Sequence, residues 1–156
     1  MKKLPYTITE DEFLTMIKRV KNPKHKLAFM LGFYAGMRVS EIIKLQPENI
    51  ENGFIHILSG KGKKDRDIPI PKPLSKGLSH LPIDMSRQAL HKAIKKYFPM
   101  AHMHTLRHSG ASYYVNDKDM DVMQVKALLG HSDVKTTQIY IHVRPQDLKN
   151  KFEQMF

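Results

Sequence analysis

The stretch "HTLRH", residues His104 to His108, places two imidazole groups and one guanidinium group within five positions of a basic chain. On a helix, spacings of three and four residues bring His104, Arg107 and His108 to one side of a single turn. Their positive character adds up on that side. The motif therefore predicts a site for an anionic group.

Cleavage of a phosphodiester is the chemistry that best uses the candidate side chains together. Negative charge builds up on the nonbridging oxygens during cleavage, and a planar guanidinium group binds two such oxygens while it stays protonated. Arg38 and Arg107 could therefore clamp one phosphate. The full candidate set is Arg38, Lys61, His104, Arg107, His131 and Tyr140.

Tyr140 is the candidate nucleophile of this set. A phenol with a pKa of about 10 attacks phosphorus only in a strongly positive pocket that also contains a proton acceptor. His104 and the neighbouring cations could supply both. The departing alkoxide needs a proton, and Lys61, in a Gly-Lys-rich turn, could donate it.

Composition restricts the class of protein and of partner. The 156 residues include 26 Lys and Arg against 15 Asp and Glu, a formal charge of +11 that favours a polyanion, an anionic membrane surface or an acidic protein. The absence of cysteine excludes disulfides and thiolate metal sites and is compatible with a reducing cytoplasm. No apolar run reaches the length of a signal peptide or of a membrane span, so we expect a soluble protein.

Hydrophobic periodicity and capping residues predict one mainly helical domain over residues 1–156, with a small antiparallel β-hairpin or sheet. The strands are expected at Phe54–Leu58 and Asp67–Ile70, and prolines 69, 71 and 73 stop the second one. Eight helices are expected, and three of them precede the strands: from Thr7 or Thr9 to about Val20, from Pro23 to near Gly36, and over Arg38–Leu45. Five follow the strands: after Ser86, from His104 to about Val115, from Asp119 or Asp121 to Gly130, from Ser132 or Asp133 through Tyr140, and from Pro145 onward.

Four blocks of the sequence resemble the signature motifs of the tyrosine recombinase (phage integrase) family. They are "AGMRVSEIIKL", "GKGKKDRDIPI", "HTLRHSGASYY" and "LLGHSDVKTTQIYIHV", and the last is particularly similar to the Xer recombinases. The match runs in the family's order from about Phe33 to His142. The resemblance implies the fold of a tyrosine recombinase catalytic domain.

The resemblance also implies a role for each matched residue. Arg38 and Arg107 correspond to the catalytic arginines, and Glu41 to the acidic residue that supports the site. Lys61 corresponds to the general acid, and His104 to the histidine that assists proton transfer. His131 corresponds to the residue that hydrogen-bonds the phosphate, and Tyr140 to the nucleophile that forms a 3′-phosphotyrosyl bond and frees a 5′-hydroxyl. Because that bond conserves the ester energy, neither a metal nor ATP is needed.

Double-stranded DNA and other protomers are the partners that the resemblance implies. Contacts to DNA are expected from Lys63, Lys64, Arg66 and Arg87. The family recombines as a tetramer, and the amphipathic segment "PQDLKNKFEQMF" could dock onto its own domain or onto a neighbouring protomer. Because few residues precede the first block, we expect this sequence to lack the N-terminal core-binding domain of the family. The expected location is the cytoplasm, for a protein that is nucleoid-associated or encoded by a virus or a plasmid.

Other interpretations stay open at this level. Arg38 could form an ion pair with Glu41 on a helix surface, the histidines could cap helix ends, and Tyr140 could be a packing residue. His104 and His108 have the spacing of a zinc-binding pair, but no glutamate of an H-E-x-x-H motif lies between them, and Arg107 would repel a cation. A type IB topoisomerase and a DNA-binding or assembly module without activity are the alternative functions.

Overall fold

The computed structural model describes residues 6–58, 64–130 and 145–155 of the chain. The elements in this part are mostly helical, with a small sheet between the third and fourth helices. The helices are α1 (Glu10–Ile17), α2 (Pro23–Tyr34), α3 (Val39–Lys44), α4 (Arg87–Tyr97), α5 (Met103–Asn116), α6 (Val122–Leu129) and α7 (Pro145–Met155). The predicted helix through Tyr140 lies outside the described residues.

Three antiparallel strands form the sheet in the order β1-β2-β3: β1 (Ile50–Glu51), β2 (Phe54–Leu58) and β3 (Lys64–Pro69). The predicted hairpin is confirmed, but β3 begins three residues earlier than expected and ends at Pro69. In the register, Ile55 faces Ile68 and Ile57 faces Arg66. The two-residue strand β1 was not predicted, because so short a segment carries no readable alternation.

Local capping chemistry sets the helix starts. Thr9 and Glu12 form a reciprocal capping box at the start of α1, and the Ser86 hydroxyl accepts a hydrogen bond from the Ala89 N–H at 3.1 Å. The Asp121 carboxylate accepts the Met123 N–H at 2.6 Å at the start of α6. These three predicted caps are confirmed, and each satisfies an N–H that the helix itself leaves unpaired.

The core lies between α2 and α5, with α1 and α4 packed against them. Phe13 of α1 stacks on Phe33 of α2 with ring centroids 4.5 Å apart. The two central helices approach so closely at Gly110 that a Cβ there would lie 1.9 Å from the Phe33 carbonyl oxygen. This contact holds the C-terminal end of α2 against the middle of α5.

The predicted fold class is confirmed as a mainly helical architecture with a small antiparallel sheet. Among the described helices, none is both long and apolar enough to cross a membrane. Strand β3 contacts the end of α6, and its Arg66 bonds to Glu41 of α3. Arg107 of α5 bonds to Leu129 at the end of α6 and to Gly36 just after α2, so these elements meet at one junction. That junction contains the candidate site.

Candidate functional site

Arg38 precedes α3 directly and is held by a carboxylate one turn later. The backbone N–H of Arg38 donates to Glu41 Oε1 at 2.9 Å, and its Nη1 donates to Glu41 Oε2 at 3.1 Å. The Arg38 side chain is 39% exposed, whereas that of Glu41 is only 11% exposed. The guanidinium group is therefore anchored at one nitrogen and still reachable from solvent.

Helix α5 contributes His104 and Arg107 from successive turns. Arg107 is 1% exposed, and its guanidinium group donates to Gly36 O at 2.7 Å and to Leu129 O at 2.8 Å. His104 keeps an exposed edge, and its ring meets that of His108 edge-on with centroids 4.0 Å apart. His108 is buried beneath it.

Arg66 of β3 is a buried arginine that binds the same carboxylate as Arg38. Its side chain is 6% exposed, and Nη1 and Nη2 donate to Glu41 Oε2 and Oε1, each at 2.9 Å. Its Nε donates to Leu128 O at 2.8 Å, and Nη1 also contacts Asp65 at 2.9 Å. In this structure the Arg66 guanidinium group is bound to protein acceptors, so its predicted contact with DNA finds no support in the geometry and stays a prediction.

These contacts close into a ring that we call the arginine network, defined as Arg38, Glu41, Arg66 and Arg107. Gly36, which binds Arg107, lies two residues before Arg38 in the chain. Glu41 links Arg38 to Arg66, while Arg66 and Arg107 bind consecutive carbonyls at the end of α6. Among the described residues, these three guanidinium groups and the two carboxylates that contact them, Glu41 and Asp65, sum to one net positive charge.

The pKa values follow from these neighbours. Burial alone would raise the pKa of Glu41, but hydrogen bonds from Arg66 and from the Arg38 N–H, with the attraction of both charges, hold that pKa below its usual range. The pKa of His104 is lowered by partial burial and then by the Arg107 and Arg38 charges. His104 is therefore neutral at pH 7, which leaves its ring able to accept a proton.

The remaining predicted site residues lie partly outside and partly inside the described part of the chain. Lys61, Lys63, His131 and Tyr140 lie outside the described residues. Lys64 opens β3, and Arg87 is exposed at the first position of α4. Of the six predicted catalytic residues, the structure thus brings together Arg38, His104 and Arg107, and Glu41 lies between Arg38 and Arg66.

The supporting position of Arg66 was missed from the sequence, although one signal was present. In "DRDIP" the alternation places Arg66 on the same face of β3 as Ile68, and both are buried. That pattern predicts a buried arginine, which needs an acidic partner. It does not identify Glu41, which lies 25 residues earlier.

Three tyrosines near this junction are held in the protonated form. Burial and the hydrogen bond to Glu10 raise the pKa of Tyr34, and burial with the nearby Glu10 carboxylate raises the pKa of Tyr113 to about 12. Burial also raises the pKa of Tyr114, whose hydroxyl donates to the Tyr34 carbonyl. A raised pKa is the opposite of what a nucleophilic phenol requires.

Comparison with solved structures supports the fold. The crystal structure of XerA recombinase superposes with a TM-score of 0.79 at 23% identity, over 99% of this chain and 66% of that one. XerH site-specific recombinase bound to difH substrate, in a pre-cleavage complex, gives a TM-score of 0.74 at 22% identity, over 96% of this chain and 54% of that one.

Sequence comparison identifies the family. Tyrosine recombinase XerA of Pyrococcus furiosus is 32% identical over 180 residues, which cover 98% of this chain and 63% of XerA. Tyrosine recombinase XerD of Staphylococcus aureus is 31% identical over 188 residues, with the same two coverages. The chain thus spans about 63% of the length of these relatives. The model of the phage integrase family matches residues 6–82 and 78–147, and the chain belongs to that family.

Proposed function

We propose that this chain is the catalytic domain of a site-specific DNA recombinase that cleaves and rejoins strands through a 3′-phosphotyrosyl intermediate. The observation that carries the proposal is the convergence of Arg38, His104 and Arg107 in one basic junction. XerH, one of the structural relatives, is described as a site-specific recombinase in pre-cleavage and post-cleavage complexes with its substrate. Family membership and local charge thus support the same chemistry.

In the proposed first step, the phenolic oxygen of Tyr140 bonds to phosphorus as the bond from phosphorus to the 5′ oxygen breaks. The phenolic proton passes to neutral His104, and the Lys61 ammonium gives a proton to the departing oxygen. Arg38 and Arg107 stabilise the charge on the nonbridging oxygens, with His131 as a further donor. In the second step a 5′-hydroxyl attacks the phosphotyrosine and releases the phenol, so the energy of the ester is conserved.

The tyrosines near the junction provide further support for Tyr140 as the nucleophile. Tyr34, Tyr113 and Tyr114 all have raised pKa values, and Tyr34 and Tyr114 also donate their hydroxyl protons within the domain. Tyr140 lies in the block that resembles the Xer recombinases, nine residues after His131. It is therefore the residue that we assign to covalent attachment.

A nicked suicide DNA substrate, which loses its 5′-hydroxyl fragment after cleavage, tests this assignment. We expect the wild-type chain to become covalently attached to the DNA and Tyr140→Phe to bind DNA without attachment, because phenylalanine has no nucleophilic oxygen. The matched control is Tyr97→Phe, since Tyr97 lies in α4 and packs against Phe29. Its yield of covalent complex should equal that of the wild type.

Failure of this test has a defined meaning. If neither wild type nor Tyr140→Phe is attached under conditions in which both bind the substrate, the chain is a DNA-binding or assembly module without cleavage activity. If Tyr140→Phe is attached as readily as the wild type, another residue is the nucleophile. Plasmid relaxation compared with recombination between paired sites separates a topoisomerase from a recombinase.

Double-stranded DNA and further protomers are the proposed partners, and the cytoplasm is the proposed location. Exposed Arg87 is assigned to DNA contact, and so are Lys63 and Lys64 of the "GKGKK" segment. Phe152 and Met155 of α7 are 55% and 65% exposed, so the terminal helix has apolar side chains to bury against its own domain or a neighbouring one. Recombination between two sites measures this assembly, whereas cleavage of one strand does not.

A further inference from the structure

Arg66 has no role in the chemistry proposed above, although it is more deeply buried than Arg38. Burial of a guanidinium group is costly unless its donors are bound, and here Nε, Nη1 and Nη2 all have acceptors. The acceptors belong to α3 and to the end of α6, which are far apart in sequence. Arg66 thus connects α3 to the end of α6, beside the proposed phosphate site.

The first of these connections fixes Glu41. Its two oxygens receive four hydrogen bonds, two from the Arg66 fork and two from Arg38 through the backbone N–H and Nη1. Without Arg66, a carboxylate that is 11% exposed would have Arg38 as its remaining cation in this network. The carboxylate would then lose the fork that fixes its plane, so its hydrogen bonds to the Arg38 N–H and Nη1 would be held less firmly.

The second connection fixes the end of α6. Arg66 Nε binds Leu128 O, and Arg107 binds Leu129 O, so two cations hold the consecutive last carbonyls of the helix. Gly130 follows in the left-handed region at φ 73°, and a Cβ there would lie 2.8 Å from Arg66 Nη1. The glycine therefore both ends the helix and leaves room for the arginine.

We propose that Arg66 is a positioning residue, which holds Glu41 and the end of α6 so that Arg38 and Arg107 face the same phosphate. The proposal rests on the proposed function for its catalytic consequence. Its structural part, that Arg66 holds Glu41 and through it Arg38, does not depend on activity. The two parts have separate measurements.

Hydrogen exchange of the Arg38 backbone amide tests the structural part, because that N–H is bound to Glu41 Oε1. In Arg66→Met, we expect this amide to exchange about tenfold faster or more, relative to the slowest amides of α2, since a charge-assisted contact is lost. Arg66→Lys should show the same direction, because an ammonium group cannot bind both carboxylate oxygens and Leu128 O at once.

Single-turnover cleavage at saturating suicide DNA tests the catalytic part with the full chain. Both Arg66 variants should bind DNA with little change in Kd, whereas the cleavage rate of bound DNA should fall about tenfold or more. The matched control is Ile68→Val, which lowers stability from the same face of the same strand without touching Glu41. Its Arg38 amide and its cleavage rate should both match those of the wild type.

A substrate with sulfur in place of the bridging 5′ oxygen separates two explanations of a lower rate. A thiolate leaves without a proton, so this substrate should restore cleavage to Lys61→Ala but not to the Arg66 variants. Restored cleavage by the Arg66 variants would overturn the proposal, because their defect would then lie in protonation of the leaving group.

Two further results would also overturn it. The first is an Arg38 amide whose exchange is unchanged in Arg66→Met, and the second is wild-type cleavage by Arg66→Lys. If the wild-type chain forms no covalent complex at all, the proposed function fails, and the amide measurement still decides whether Arg66 holds Glu41.

Discussion

At the scale of single residues, the junction relies on side chains whose charge state the neighbours control. Glu41 stays ionised because burial is outweighed by Arg66 and Arg38, and His104 stays neutral because of partial burial and the charges of Arg107 and Arg38. Each depressed pKa favours the less protonated form in the folded chain. Both groups therefore make the fold more stable at neutral pH than in acid.

His104 makes the folded chain less stable in acid. Below its ordinary pKa of 6.5 the unfolded chain binds a proton that the folded chain does not, so stability falls as the pH drops toward the folded value. Glu41 adds a second loss as the pH falls below its ordinary 4.5 and through its lowered pKa. One group changes stability by at most about 1.4 kcal/mol per pH unit, and partial exposure of His104 reduces its share.

Urea unfolding at pH 7.5 and pH 5.5 measures this prediction. We expect His104→Gln to lose less stability than the wild type between the two pH values, because the variant has no imidazole to protonate. His80→Gln, a change at an exposed histidine, should follow the wild type. An equal pH dependence for His104→Gln and wild type would contradict the prediction.

At the scale of elements, the distance between α2 and α5 sets the geometry of the site. Arg38 follows the end of α2, while His104 and Arg107 belong to α5, so any separation of these helices separates the cations. The approach at Gly110 leaves no room for a side chain against the Phe33 carbonyl, which is backbone and cannot rotate away. The glycine is therefore required by the packing of two helices.

Gly110→Ala should consequently destabilise the fold by about 1–3 kcal/mol or more, since an added methyl group must push the helices apart. The measurement is the free energy of unfolding in urea. Gly32→Ala is the matched control in α2, because its Cβ would meet side chains rather than backbone, Leu106 at 3.3 Å and Met103 at 3.9 Å. Its change should be much smaller, and a Gly110→Ala chain as stable as the wild type would show that the close approach is not needed.

Local features of the helices could be predicted from the sequence, whereas long-range contacts could not. The caps at Thr9, Ser86 and Asp121 could be predicted because a cap and its helix lie within a few residues of each other. The position of Arg66 could not, since its acceptors Glu41 and Leu128 lie 25 and 62 residues away. Motif resemblance located the candidate site, whereas the internal support of that site depends on long-range packing that no local pattern specifies.

At the scale of the whole molecule, the charge of +11 controls the proposed binding of DNA. Affinity that comes mainly from phosphate contacts depends on the release of counterions, so it weakens steeply with salt. A domain that makes about six such contacts loses roughly a thousandfold in affinity between about 50 and 200 mM salt.

Fluorescence anisotropy with labelled duplex DNA checks this prediction across that range of salt. We expect a linear fall of log affinity with log salt concentration, and a shallower slope for Arg87→Gln, which removes one exposed cation. Affinity that barely changes over the range would exclude phosphate contacts as the main source of binding.

The closed ring of contacts also has a consequence for synthesis of the chain. Arg107 binds Gly36, 71 residues earlier, and Leu129, 22 residues later, while Arg66 reaches forward to Leu128. A nascent polypeptide on the ribosome therefore cannot assemble these cations until the segment up to residue 129 has emerged. A product of premature termination upstream of residue 128 would lack both α6 carbonyls, so Arg66 would keep Glu41 and Arg107 would keep Gly36, but α6 would not join the two halves of the network.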